Sequence, residues 1–212
     1  MIDLETRRFF AAASLALRYP ERDWLKSFES IENDLEEFSP ATRDVLWELM
    51  GHFAKCSLME LQMEYVRTFD RKQRACLYLS YYLNGDTRRR GMALLEFKST
   101  FTNEGWSSNG DELDDYLPML LEFVAMTSSP AGFDLLIEHK AGISLLAIAL
   151  RDMKSPYAGI VKELAERIPG DESKRALKLI ESGPPIEMVG LSSPLAAYGS
   201  SESANLVEVT KC

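Results

Sequence analysis

The sequence predicts an all-α protein, a single-domain helical bundle of roughly nine or ten helices with an irregular C-terminal tail. Three observations carry this. Apolar residues recur three and four apart through most of the chain. Alternating runs with the period of a strand are nearly absent. Proline, glycine and serine fall between the periodic segments instead of inside them.

The elements follow in order. Residues 3–18 form an amphipathic helix with Phe9, Ala13, Ala16 and Leu17 on one face. Arg7-Arg8 ahead of an apolar run invites comparison with a secretion signal. Asp3 and Glu5 precede those arginines, however, and Arg18-Tyr19-Pro20 is a poor cleavage site, so the segment reads as the first helix of the mature protein. Trp24, Phe28, Ile31 and Leu35 mark a second helix. Ser39-Pro40 opens a third, lined by Leu46, Leu49, Met50 and Phe53. Helical segments at 57–69 and 72–83 come next. The turn Asn84-Gly85-Asp86 then leads into a helix from about 87 to 103, with Asp86 as N-cap and Arg88, Arg89 and Arg90 in the first turn.

Residues 103–115 form a polar loop, in which Asp115 is the N-cap candidate of an almost wholly apolar, central helix in the segment YLPMLLEFVAMT, residues 116–127. Ser128-Ser129-Pro130 starts a helix running to about Met153, and Ser155-Pro156 starts another. Pro169-Gly170-Asp171 separates that one from a last helix ending near Gly183. The helical domain is thus residues 1–183. Residues 184–212, rich in Pro, Gly and Ser, are an irregular or disordered tail.

Charge and composition exclude several functions. A net charge of −9 argues against nucleic acid and anionic membranes as partners. No apolar run is long enough to span a bilayer, so no membrane insertion is expected. Cys56, Cys76 and Cys212 are odd in number and form no CxxC pair, which fits a reducing, cytoplasmic setting. Phosphate-binding glycine loops, a nucleophile elbow and HExxH are all missing. His52 and His139 read as ordinary histidines, without a Cys, His or carboxylate at a metal-ligand offset. No enzyme activity, metal or cofactor is therefore expected. Between Arg67 and Lys98, eight basic residues face three acidic ones, interleaved with Tyr65, Phe69, Tyr78, Tyr81, Tyr82 and Phe97.

That strip carries a resemblance. Tyr65 to Lys98, YVRTFDRKQRACLYLSYYLNGDTRRRGMALLEFK, resembles the signature block of the nitrate reductase molybdenum-cofactor assembly chaperones, the NarJ type. Asp111 to Ala125, DELDDYLPMLLEFVA, is similar to a second block of that family, with Asp114 where proline is usual. The resemblance places the chain among the redox-enzyme maturation chaperones, with the TorD- and DmsD-like proteins. It implies an all-helical cytoplasmic chaperone that binds the N-terminal segment of the apo nitrate reductase catalytic (alpha) subunit. Such a chaperone assists molybdenum cofactor insertion and complex assembly before membrane docking. Molybdenum cofactor delivery proteins are further implied partners. The alternative is a chaperone of the same fold serving a different molybdoenzyme.

For such a role the peptide anchors would be Tyr65, Phe69, Tyr81, Tyr116, Leu120 and Phe123. Glu112, Asp114, Asp115 and Glu122 would attract a basic leader segment. Two uses of Asp86 and Arg88–Arg90 stay open: pairing within the fold, or contact with acidic groups or cofactor phosphates on the client.

Overall fold

The computed structural model describes residues 2–107, 112–127 and 130–170. Ten α-helices run through these residues, with short 3₁₀ and π turns between some of them. Helix α1 (Leu4–Ala16) begins where the Asp3 carboxylate accepts the Thr6 amide at 2.8 Å. It buries Phe9, Phe10, Ala12, Ala13 and Ala16. The second predicted helix is broken into a 3₁₀ turn (Leu25–Ser27), α2 (Phe28–Asn33) and another 3₁₀ turn (Leu35–Glu37). Glu32, Asp34, Glu36 and Glu37 crowd what would be the negative end of a longer helix, which disfavours its continuation. Pro40 opens α3 (Pro40–Phe53) as expected.

Helix α4 (Leu58–Tyr65) starts on a full capping box, Ser57 with Glu60, and runs into a π turn (Val66–Asp70). The expected helix over 72–83 is corrected. Only a 3₁₀ turn (Gln73–Ala75) precedes α5 (Leu79–Asn84). The backbone between them pairs with a distant segment instead. The Leu117 amide donates to the Leu77 carbonyl at 2.8 Å, the Leu79 amide donates to the Asp115 carbonyl at 3.0 Å, and Tyr78 and Tyr116 form an isolated antiparallel bridge. Gly85, at φ 56°, makes the left-handed turn that ends α5.

Helix α6 (Arg88–Asn103) and α7 (Leu117–Met126) stand where the sequence puts them. The helix expected from 128 to 153 is two, α8 (Ala131–Glu138) and α9 (Lys140–Asp152), broken at His139. Helix α10 (Ala158–Arg167) closes the described chain. The last predicted helix and the tail lie outside the described residues.

Helix α7 is central, burying Leu117, Leu120, Leu121, Phe123 and Val124, with α1 as its main neighbour. Helix α8 comes so near that a Cβ on Gly132 would lie 2.5 Å from the Phe123 ring. Arg167 fastens α10 to α1: it pairs with Glu5 and Glu163 at 3.0 Å each, and lies 4.8 Å over the Phe9 ring.

Candidate functional site

The arginine-led start of α6 resolves into distinct roles. Asp86 is not the N-cap; Thr87 holds that position, and the Thr87 hydroxyl donates to the Asn84 carbonyl at 2.8 Å. Asp86 instead pairs with Arg90 at 3.1 Å, one turn along the helix. Arg90 also reaches the Ser80 hydroxyl at 3.4 Å and the Asp115 carboxylate at 3.9 Å, and its guanidinium lies 5.9 Å from the centre of the Tyr78 ring.

Asp115 is fully buried and does not cap α7, whose N-cap is Tyr116. Its carboxylate takes the Ser80 amide at 3.1 Å and the Ser80 hydroxyl at 2.5 Å, so a distant loop caps the first turn of α5. The two sequence blocks thus meet at one buried polar node. Arg90 pairs within the fold, while Arg88 and Arg89 are exposed.

The expected anchors separate by burial. Leu120 and Phe123 are fully buried, and Tyr65 and Phe69 nearly so, because each packs among the aromatic rings and helices of the core. Their surface faces other core residues and supports the site from beneath. Tyr81 and Asp114 are half-buried, and Glu112 is exposed. The Tyr65 and Tyr116 hydroxyls bond to each other at 2.8 Å, and both reach the Leu17 carbonyl at 3.3 Å. Burial pushes the Tyr116 hydroxyl up to about 12, with the Tyr65 hydrogen bond acting the other way. Burial also raises Tyr65 and Tyr78, the latter helped by its hydrogen bond to Glu112. Asp70 is raised by burial and then by the nearby Glu112 charge, marking an acidic edge.

Beside this floor lies an open groove of about 780 Å³. Leu15, Arg18 and Tyr19 form one side, Glu21 to Trp24 with Ser27 an end, and Tyr116, Met119 and Glu122 the other side, with Trp106, Ser107 and Glu112 at the rim. Four acids (Glu21, Asp23, Glu112, Glu122) outnumber two arginines (Arg18, Arg22). Arg18 is ion-paired to Glu122. Of the expected peptide-binding residues, Glu112 and Tyr116 line the groove; Glu122, read as part of the acidic attraction, joins them. Sequence reasoning missed Arg18, Tyr19, Asp23, Trp106 and Met119. The available signal was YPERDW, an aromatic and charged segment directly after α1.

His52 has partners that the sequence reading denied it. Glu64 lies 2.7 Å from its Nε2, and the Cys56 sulfur, four residues along, lies 3.9 Å from the same atom. Both neighbours use one ring nitrogen, so no base-and-orienter relay exists here. Among the described residues no group of three or more metal-ligating side chains could hold a metal ion.

The molecule is thus an all-helical protein with an open cleft lined by aromatic side chains and an excess of acids. The sequence model of the nitrate reductase delta subunit family matches residues 30–162, and the chain belongs to that family. The nitrate reductase-like protein NarX of Mycobacterium tuberculosis is 34% identical over 70% of this chain, which spans only 22% of that relative's length. The Bacillus subtilis protein named "Probable nitrate reductase molybdenum cofactor assembly chaperone NarJ" is 30% identical over 73% of this chain and 85% of its own. Escherichia coli NarJ, a nitrate reductase molybdenum cofactor assembly chaperone by name, is 29% identical over 47% of this chain and 42% of its own. A crystal structure described as a redox enzyme maturation protein from Archaeoglobus fulgidus shares the fold, with a TM-score of 0.55 at 20% identity over 76% of this chain and 91% of that one.

Proposed function

We propose that this protein is a nitrate reductase assembly chaperone, which holds the N-terminal segment of the apo catalytic alpha subunit while molybdenum cofactor is inserted and before the enzyme docks at the membrane. The names of the relatives support the class of function. The observation that carries the binding mode is the groove, with its acidic excess and with Tyr116, Met119 and Trp24 among its lining. A basic segment with apolar side chains matches both properties: the acids speed encounter and fix register, and apolar burial supplies affinity. Molybdenum cofactor delivery proteins are further partners of the complex, and the cytoplasm is where the reaction takes place. No helix among the described residues is long and apolar enough to cross a membrane. The protein acts by binding, not by catalysis.

Calorimetric titration with the N-terminal peptide of the cognate catalytic subunit tests this. Binding with a negative heat-capacity change is expected, together with hydrogen-exchange protection at residues 15–24 and 112–124. Protection confined to α3 or α6 would place the peptide elsewhere. Tight binding of another molybdoenzyme's leader in preference to this one would reassign the client.

A further inference from the structure

The groove holds an arginine of its own. Arg18 follows the end of α1, and its guanidinium sits on the Glu122 carboxylate of α7, with 41% of the arginine side chain and 35% of the glutamate still exposed. Neither helix depends on that pair for its position. The Ser14 hydroxyl donates to the Pro118 carbonyl at 2.6 Å, and the Tyr65 and Tyr116 hydroxyls donate to the Leu17 carbonyl, so the backbone here is held by bonds that do not involve the Arg18 side chain. The other acids are arranged differently. Glu112 accepts from Tyr78, and Asp23 pairs with Lys26 outside the groove wall. Glu122 is the acid on the α7 wall, and its partner is a part-exposed guanidinium, the same group that a peptide arginine carries.

We infer that Arg18 is an internal competitor for the groove: it occupies Glu122 in the free protein and is displaced by a guanidinium of the bound peptide, so that the Arg18–Glu122 pair sets which peptides bind and how tightly. This rests on the groove reading above. A guanidinium can replace Arg18 on equal terms, since it offers the same planar set of donors to the carboxylate, whereas an ammonium is a compact, more strongly hydrated point charge. A peptide lacking a cation at that position leaves Arg18 on Glu122 and gains nothing from it. Arg18 is a specificity-determining residue, acting through Glu122.

The test is titration of the cognate catalytic subunit's N-terminal peptide, and of a copy with its arginines and lysines changed to glutamine, into full-length wild type, Arg18→Gln, Arg22→Gln, Glu122→Gln and Arg18→Gln/Glu122→Gln. Arg22→Gln makes the same change in net charge at the same groove, and so measures steering alone. Arg18→Gln is expected to bind the native peptide about two- to fivefold tighter than Arg22→Gln does, the worth of freeing a surface pair. In the Glu122→Gln background, and with the glutamine peptide, that gain disappears. An Arg18→Gln protein that binds no tighter than Arg22→Gln, or a gain that survives the loss of Glu122, overturns the competitor while the groove reading stands. Absence of binding by wild type and every variant overturns the groove reading and the competitor with it.

Discussion

Arg90→Gln should destabilise the protein through Asp115. The Asp115 carboxylate is fully buried, and Arg90 is the cation paired with it. Removing one partner of a buried pair costs about 3–5 kcal/mol when the remaining charge is left without compensation. Two features lower that here: Ser80 keeps two hydrogen bonds to the same carboxylate, and the Arg90 contact at 3.9 Å is long for an ion pair. The Asp86 contact adds little, since Asp86 is largely exposed. We expect a loss of about 2–3 kcal/mol in urea unfolding, or roughly 4–12 °C in Tm for a domain of this size. Arg89→Gln, one residue away on an exposed side chain, should stay within about 0.5 kcal/mol of wild type. Equal melts for wild type and Arg90→Gln, or an equal fall for Arg89→Gln, would refute the buried node as the reason for the arginine at this position.

Other outcomes follow from the same structure. Phe123→Ala, in the middle of α7, should cost about 3–5 kcal/mol by urea unfolding. Gly132→Ala should cost about 1–3 kcal/mol, because the new methyl meets the Phe123 ring. Acid should weaken the fold in two stages. His139 is held below its ordinary 6.5 by burial, so the unfolded chain takes up its proton first, and stability falls as pH drops through 6.5. His139→Gln should flatten that part of the urea-midpoint profile. Glu5 is held below its ordinary 4.5, first by the Ser39 amide and further by Arg167, so its contribution is complete above 4.5 and lost on further acidification. Glu5→Gln should shrink that lower limb without abolishing it, since Asp3 and Glu60 are also held below their ordinary values by hydrogen bonds from Thr6 and Ser57.

Helices α1, α3, α6 and α7 were legible in the sequence because each carries its own apolar spacing or a proline at its start. Residues 72–78 were not: after a short 3₁₀ turn, Leu77 and Leu79 take their backbone partners from Leu117 and Asp115, and no local signal announces a partner so far along the chain. The same holds for the site. Glu112, Tyr116 and Glu122 could be picked out by residue type, but aromatic side chains look alike in sequence whether they end up in a wall or in the core. Tyr65, Phe69 and Phe123 went to the core. Arg18 and Trp106 reach the groove only through tertiary packing. Of Arg90's contacts only the minor one was readable: Asp86 and Arg90 are four residues apart, the spacing of a helical ion pair, whereas Asp115 lies 25 residues on.

The groove's two long walls come from opposite parts of the chain. Ser14 bonds to Pro118, and Arg18 to Glu122, each pair separated by 104 residues. During synthesis α1 is made long before α7, its main neighbour, and until then its apolar face has only lesser partners such as α2. Helix α1 therefore docks late, after a large loop has closed. The groove depends on that long-range closure. Neither wall stands without the other, so the groove exists only once the chain through Glu122 has been made and α1 has met α7.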